Sequence, residues 1–430
     1  MKAKAVLSTT WHCQDCHRIH KKPTERCICG SWKIVAVDRA SSIQKHGARS
    51  IAQVDERDAA RIDTYDAELN RVLGGGIVLG SQIAISGEPA AGKSTLLTQV
   101  SLEIAEGDPV LYVCGEETPA QVKGRALRLV RGSSIDWSKV EQNLILTETT
   151  NILGLEKEIA DTSPVLVIVD SIASMQGERD VAGGAKVLDA AEHLVRISKK
   201  TNVPLVIVAH VTKDSVMAGP RAFEHLVDVA LHLEGDRREQ HRFLRAFKNR
   251  FGATDEVGLY EMTANGLRSA KIGVDLADRT IPQTSCLTLV SEGSRFFVHE
   301  IQAAVGGMVG KVHARGLRGD RVAMLAALLR NQLSLMLQEE LFLSCVGGGR
   351  VDDPLADMAI CAAILSSHLR KVLPCSWLCL GELSPTGFFS GSGISKRVAF
   401  LRQHFEQTIE AKTPKDTPSL QALFDQISAL

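Results

Sequence analysis

Residues 87–94 (GEPAAGKS) combine glycine, lysine and a hydroxyl side chain at a spacing that suits phosphate binding. The glycines let backbone N–H groups close around phosphate oxygens, while Lys93 would reach the terminal phosphates and Ser94 would hold Mg²⁺. The alternative is a glycine-rich turn with an incidental Lys-Ser pair. The candidate nucleotide-binding residues are Gly87, Glu88, Pro89, Ala90, Ala91, Gly92, Lys93, Ser94 and Thr95.

The segments on either side predict the elements that must position this loop. Residues 82–86 (QIAIS) form an apolar run typical of a buried strand, and residues 95–104 have the composition of a helix. Strand, loop and helix follow one another in the order that the motif requires, and the helix start adds the positive end of its dipole. The sequence therefore predicts ATP binding with Mg²⁺.

A second apolar run, residues 164–170 (PVLVIVD), ends in a carboxylate. Buried parallel strands have this composition, and Asp170 at such a strand end would hold the metal ion through water. Many buried strands end in Asp, so this motif alone would be weak evidence. It indicates a metal-binding residue only because the same sequence also contains the phosphate loop.

Two further runs end in polar groups that would face the nucleotide. Residues 110–113 lead to Glu116 and Glu117, either of which would orient the attacking water, while the other is solvated or caps the next helix. We slightly favour Glu117 as the base. Residues 204–209 lead to His210, which would sense the γ-phosphate or would simply bond to backbone.

Four cysteines near the N-terminus have the spacing of a zinc site. The first pair is separated by two residues, and the second pair by one residue where two are usual. Nearby histidines at 12, 17 and 20 offer substitute ligands, and the alternatives are a remnant without metal or, less favoured, a disulfide. The predicted Zn²⁺ ligands are Cys13, Cys16, Cys27 and Cys29.

The bulk composition limits the class of protein. The 430 residues carry 50 basic and 50 acidic side chains, so no global charge recruits a polyanion, although residues 1–50 hold ten Lys or Arg against three acids. No apolar run approaches the ~20 residues of a membrane span, and no secretory segment is seen at the start. The other six cysteines are scattered in mostly apolar contexts. We therefore predict a soluble, cytoplasmic protein without a membrane partner.

The pattern of runs along the chain predicts four segments. Residues 1–35 form the zinc module and residues 36–60 a polar linker. Residues 61–275 alternate strand-like and helical runs, which indicates a mostly parallel sheet with helices on both faces. Residues 290–430 form a separate α/β domain.

The sequence resembles the RadA (Sms) family of bacterial DNA-repair ATPases over nearly its whole length. Its most specific match is residues 248–252 (KNRFG), a motif that marks this family against ordinary RecA proteins. Residues 69–97, 112–128 and 210–235 resemble further family segments. The chain departs from the family in its short second cysteine pair, in Tyr65 and in Ala209, where glycine is usual.

The resemblance implies an α/β fold with three parts. These are a small N-terminal four-cysteine zinc module, a RecA-like phosphate-loop ATPase core and a C-terminal domain like that of Lon protease. It also implies that Lys248 and Arg250 act on the nucleotide of a neighbouring subunit; without it, they would be ordinary surface cations.

The C-terminal domain is expected to lack protease activity. The segment that resembles the one carrying Lon's nucleophilic serine has Ala356 and Asp357, and the lysine position is occupied by Ser395, with Lys396 one residue late. A serine–lysine dyad requires both groups within hydrogen-bond reach. A Lon-like peptidase with an ATPase module is the disfavoured alternative.

Two loops after core strands are predicted to contact DNA. Residues 174–186 carry Arg179 and Lys186, and residues 211–221 carry Lys213 and Arg221. Such charges bind phosphates without reading sequence, unless they are simply solvated.

The resemblance implies a DNA-dependent ATPase of recombinational repair that binds single-stranded and branched DNA and drives branch migration or strand unwinding. It implies a homo-oligomer, expected to be a hexameric ring, with ATP, Mg²⁺ and Zn²⁺ as cofactors and a RecA-type recombinase as a candidate partner. The alternative is a nucleotide-switched, RecA-fold ATPase that binds a protein and is indifferent to DNA.

Overall fold

The computed structural model describes residues 9–13, 18–20, 26, 31–38, 60–131, 133–177, 183–209, 222–235, 241–270, 284–307, 311–335, 340–346, 351–405 and 409–430. The chain divides into two compact units, Met1–Ala270 and Lys271–Leu430. The predicted boundaries of the zinc module and linker stay predictions.

The first unit holds two sheets and seven helices among its described residues. The strands are β1 (Thr9–Cys13), β2 (Arg18–His20), β3 (Ile34–Asp38), β4 (Arg61–Ile62), β5 (Ile77–Val78), β6 (Gln82–Gly87), β7 (Val110–Cys114), β8 (Leu144–Thr147), β9 (Leu166–Asp170), β10 (Leu205–Val208), β11 (Val229–Glu234), β12 (His241–Asn249), β13 (Val257–Thr263) and β14 (Gly266–Ser269). The helices are α1 (Ala67–Val72), α2 (Lys93–Ala105), α3 (Pro119–Val130), α4 (Trp137–Asn143), α5 (Ile152–Thr162), α6 (Gly184–Thr201) and α7 (Ala222–Leu226).

The larger sheet of this unit has nine strands in the order β14-β13-β12-β11-β6-β10-β9-β7-β8. The strands from β11 to β8 are parallel, and β12, β13 and β14 extend the sheet in antiparallel fashion. Every residue of β6, β7, β9 and β10 is buried, as the continuous apolar runs predicted. Helices must cover both faces of such a sheet, so the carboxyl ends of its parallel strands are left to build a site.

The smaller sheet of the first unit has the order β3-β1-β2-β4-β5. It joins the N-terminal strands to β4 and β5, which flank α1 in sequence and precede β6. Cys13 at the end of β1 lies opposite Ile34, the first residue of β3.

The second unit is a separate α/β structure, built on a six-stranded sheet in the order β17-β18-β16-β15-β19-β22. Helix α9 is buried over most of its length, from Asp357 to Ser366, and is the centre of the core. The elements are β15 (Ser285–Glu292), β16 (Arg295–Gly306), β17 (Val312–Arg315), α8 (Gly319–Gln332), β18 (Glu340–Cys345), α9 (Asp357–Leu369), β19 (Trp377–Cys379), β20 (Glu382–Leu383), β21 (Phe389–Ser390), α10 (Ile394–His404), β22 (Glu410–Lys412) and α11 (Leu420–Ser428).

Candidate functional site

The phosphate loop connects β6 to α2, and the predicted strand, loop and helix are all present. Helix α2 begins at Lys93 after Gly92, whose φ of 109° lies in the left-handed region. Gly87 has φ 149°, and a Cβ there would lie 2.3 Å from the carbonyl oxygen of Leu233 on β11. Glycine is therefore required at position 87, since the neighbouring strand approaches too closely for a side chain.

Lys93 is buried and folds back onto the loop. Its Nζ donates to the carbonyl oxygens of Gly87, at 2.8 Å, and Glu88, at 3.0 Å. Burial lowers the pKa of Lys93, and the negative charges of Asp170 and Glu116 oppose that shift. The ammonium group thus lies within the influence of both carboxylates, and phosphate oxygens would replace the two carbonyls as its acceptors.

Asp170 ends β9 in a buried position that two neighbouring segments fix. The Tyr112 hydroxyl donates to Asp170 Oδ2 at 2.8 Å, and the backbone N–H groups of Gly115 and Glu116 donate to the Asp170 carbonyl oxygen at 2.7 and 3.2 Å. Burial and the charge of Asp170 raise the pKa of Tyr112 well above its ordinary value, which keeps the phenol protonated as a donor. Asp170 is therefore fixed in position at the same sheet edge as Lys93, whose charge it influences.

Glu116 and Glu117 have different partners although they are adjacent in sequence. Ser171, the residue after Asp170, donates its hydroxyl proton to Glu116 Oε1. Glu117 forms an ion pair with Arg125 of α3, and Arg125 also lies 3.4 Å from Thr98 Oγ1 on α2. Helix α3 is capped by the side chain of Thr118 rather than by either glutamate. Glu116 thus lies beside the end of β9, whereas Glu117 pairs with Arg125, the residue that links α3 to α2.

Buried Arg242 of β12 supports the loop from the other side. Its Nε donates to the Ala91 carbonyl oxygen at 3.2 Å. The sequence pattern does not single out Arg242, Arg125 or Ser171. Tyr112 stands there only as the first residue of the family-like segment 112–128. A polar side chain within an otherwise apolar strand was the one signal available for Tyr112.

Lys248 and Arg250 lie away from the phosphate loop. Lys248 Nζ donates to the carbonyl oxygens of Glu224 and His225, both at 3.0 Å, and Arg250 donates to Asp228 Oδ1 at 3.1 Å. Lys248 on β12 pairs with Ala230 on β11, which in turn pairs with Ala84 on β6. Ala84 lies three residues before Gly87, so the backbone of Lys248 is about 10 Å along the strands from the level of Gly87. The backbone N–H of Arg250 bonds to Asp228, which bonds in turn to Gln82. Both cations therefore lie toward the opposite edge of the sheet.

The predicted DNA loops fall largely outside the described residues. Arg179, Lys213 and Arg221 lie there, as does His210. Lys186 is described and is half-buried in the first turn of α6.

The cysteine cluster is described only at Cys13, since Cys16, Cys27 and Cys29 lie outside the described residues. Cys13 is buried at the end of β1, and Ile34, its partner on β3, follows Cys29 by five residues in sequence. The four-cysteine zinc site therefore stays a prediction. Within the described ranges no three metal-ligating side chains lie together.

The second unit places no serine nucleophile where the resemblance to Lon would require one. Ala356 is buried, and Asp357 accepts from Arg321 Nε at 3.0 Å and from the Leu383 N–H at 2.9 Å. Ser395 and Lys396 are exposed on α10. These positions hold an ion pair and a solvated lysine.

Several known proteins are similar to this chain. A family model described as an AAA domain matches residues 48–216. The DNA repair protein RadA of Campylobacter jejuni is 38% identical over 400 residues, covering 88% of this chain and 87% of the relative. The DNA repair protein RadA of Mycobacterium tuberculosis is 35% identical over 439 residues, covering 96% and 90%. The crystal structure of the RadB recombinase covers 49% of this chain and 99% of its own, with 21% identity and a TM-score of 0.41.

The phosphate loop on a parallel sheet, with Asp170 two strands away, defines an ATP-hydrolysing protein with a RecA-like phosphate-loop core. Because its relatives match over nearly the full length of both chains, the protein belongs to the RadA family. In the part of the chain that the structure describes, no helix has the length and apolar character needed to cross a membrane.

Proposed function

We propose that this protein is a DNA-dependent ATPase of recombinational repair that binds single-stranded and branched DNA and drives branch migration as a hexameric ring. The names of its relatives support the repair assignment. The geometry of the nucleotide site supports the hydrolysis, and the position of two cations supports the ring.

The main observation in support of a ring is that Lys248 and Arg250 are distant from the phosphate loop. Arg250 lies at the level of Gln82, about 17 Å along β6 from Gly87, so it cannot reach a phosphate held in its own subunit. An exposed guanidinium at the opposite edge suits insertion into the site of a neighbour, where a cation stabilises charge on the transferring phosphoryl group. Hydrolysis would then require at least two subunits.

Within one subunit, the other described side chains bind the phosphates, hold Mg²⁺ and activate the attacking water. Lys93 binds the terminal phosphates, and Ser94 and Asp170 hold Mg²⁺, which when bound neutralises charge between the β- and γ-phosphates. We assign the base to Glu116, since Ser171 already orients its carboxylate beside Asp170, while Arg125 holds Glu117. This reverses the slight preference for Glu117 drawn from the sequence.

The DNA contacts and the N-terminal zinc module complete the proposal. The loops that carry Arg179, Lys186, Lys213 and Arg221 would track the phosphate backbone. Zn²⁺ held by Cys13, Cys16, Cys27 and Cys29 would stabilise a segment too short to have its own core. The C-terminal unit serves assembly and DNA contact rather than proteolysis.

The test is ATP hydrolysis measured with and without single-stranded DNA. The native chain should be stimulated by DNA, and Lys93→Ala should abolish turnover, while Arg250→Ala and Lys213→Ala should remove the stimulation. Arg268→Ala is the matched control, because Arg268 is an exposed arginine on β14 that forms an ion pair with Glu261. Turnover that is intact but indifferent to DNA would reject the repair motor and favour a nucleotide-switched, protein-binding ATPase.

A further inference from the structure

One face of the six-stranded sheet in the second unit carries an open groove near its β17 edge. Strand register aligns His313 of β17 with Phe342 of β18, and Phe342 with Ala304 of β16. The next row on the same face aligns Arg315 with Ser344, and Ser344 with Gln302. The two rows place an aromatic pair beside a cation and two hydrogen-bonding groups.

The rings of His313 and Phe342 are stacked and nearly parallel, with centroids 4.8 Å apart and an interplanar angle of 7°. Phe342 is 44% exposed, which is unusual for a phenylalanine in a sheet. The small side chain of Ala304 on its other flank does not cover the ring. An exposed aromatic pair of this kind is a platform on which a planar ring can stack.

The groove over this platform has a volume of about 720 Å³. That volume is within the range of small-molecule sites and accommodates a nucleotide. Its polar lining includes Arg315, Gln302, Ser344 and Thr284. A stacking surface with amide, hydroxyl and guanidinium groups at its border suits a base that is joined to a phosphate.

The charges beside the groove favour an anionic chain over a neutral ligand. Lys311, His313 and Arg315 alternate along the edge of the sheet, and all three are exposed. The i, i+2 spacing of a strand places successive side chains of one face about 7 Å apart. Two carboxylates limit the surface that suits phosphate: Glu340 borders one end of the face near Gly307, and Glu300 at the other end accepts from the Gln302 amide at 3.3 Å.

We propose that this face, defined by His313, Phe342, Arg315 and Gln302, binds a nucleobase and its neighbouring phosphate in single-stranded nucleic acid. The inference rests on the proposed DNA-binding function, and it adds a stacking site in the C-terminal unit to backbone contacts in the ATPase core. Phe342 and His313 supply the stacking plane, Arg315 pairs with the phosphate, and Gln302 is placed for the edge of the base.

The experiment measures binding of the full-length chain to a fluorescent thymidine oligonucleotide and to an abasic strand of equal length. Phe342→Ala should weaken binding to the thymidine strand roughly five- to hundredfold, the range that loss of one stacked base gives, with little change for the abasic strand. Phe342→Trp should keep the affinity, and its fluorescence should fall when the strand binds. Phe388→Ala is the matched control, because Phe388 is also an exposed phenylalanine of the second unit, at 61%.

Each result has a defined meaning. Equal affinity of native protein and Phe342→Ala for the thymidine strand would overturn the proposal while leaving DNA binding intact. Absence of strand binding by the native protein would reject the proposed function itself. Displacement of the strand by equimolar AMP would show a free-nucleotide site and would overturn the strand assignment. A change of oligomeric size in both Phe342 variants, with unchanged strand affinity, would show a subunit contact instead.

Discussion

The hydroxyl of Tyr112, in the middle of β7, donates a 2.8 Å hydrogen bond to Oδ2 of Asp170, the last residue of β9. In the proposed mechanism, the other carboxylate oxygen, Oδ1, would face the Mg²⁺ ion or its water. Such partners fix the direction of a metal-binding carboxylate and strengthen its hold on the ion. Tyr112 thus connects the interior of the sheet to the catalytic edge.

Tyr112→Phe should weaken Mg²⁺ use without abolishing ATP binding. The substitution removes one donor and keeps the ring, so the Mg²⁺ concentration for half-maximal turnover should rise by roughly tenfold, as for other outer partners of metal ligands. Steady-state hydrolysis measured across a Mg²⁺ series gives this value. Tyr260→Phe is the control, because Tyr260 is equally buried and donates to Asp66 at 2.8 Å. The same Mg²⁺ dependence in both variants would refute the positioning role.

Glu116→Gln should reduce ATP turnover by about 10²–10⁴-fold, the usual contribution of a general base. Glu117→Gln should have a much smaller effect, because that residue is engaged with Arg125. Binding of a fluorescent ATP analogue should be retained by both variants, which separates chemistry from affinity. A larger loss in Glu117→Gln than in Glu116→Gln would return the base to Glu117.

Lys93→Ala and Arg250→Ala subunits should complement each other when they are coexpressed with different tags and copurified. Neither variant alone should show DNA-stimulated hydrolysis, yet a mixed assembly holds intact phosphate loops beside intact arginines. Partial recovery of DNA-stimulated hydrolysis is therefore expected. A mixture as inactive as its parents would place Arg250 in the site of its own subunit or outside catalysis altogether.

Native protein should contain about one Zn²⁺ per chain, as four-thiolate sites do, and Cys13→Ser should lose most of it. Elemental analysis after gel filtration measures the content directly. Cys375→Ser is the control, since Cys375 is a half-buried cysteine of the second unit, away from the N-terminal cluster in sequence. Zinc-free native protein would mean that β1, β2 and β3 form their sheet without metal.

Much of the nucleotide site could be predicted from sequence because its parts are local. The apolar run of β6, the glycines of the loop and the start of α2 are contiguous, and each follows from backbone sterics and burial within a few residues. Asp170 could be placed for the same reason, as the end of one continuous apolar run. Parallel packing then brings the carboxyl ends of such strands to one edge.

The choice between Glu116 and Glu117 required the tertiary structure. The two residues are adjacent and chemically alike, so no local pattern separates them. Their partners differ, and this difference supports the proposal for Glu116: Ser171 is distant in sequence and follows β9, whereas Arg125 lies on α3. In the same way, the stacked pair of His313 and Phe342 depends on the register between β17 and β18.

The sequence by itself determined the phosphate loop, the buried strands and the family, since these depend on residue type and short-range order. The tertiary structure alone decided that Tyr112 meets Asp170 and that Lys248 and Arg250 lie at the opposite edge from Gly87. Those relationships depend on which strands are neighbours and in which register, and long-range packing sets both.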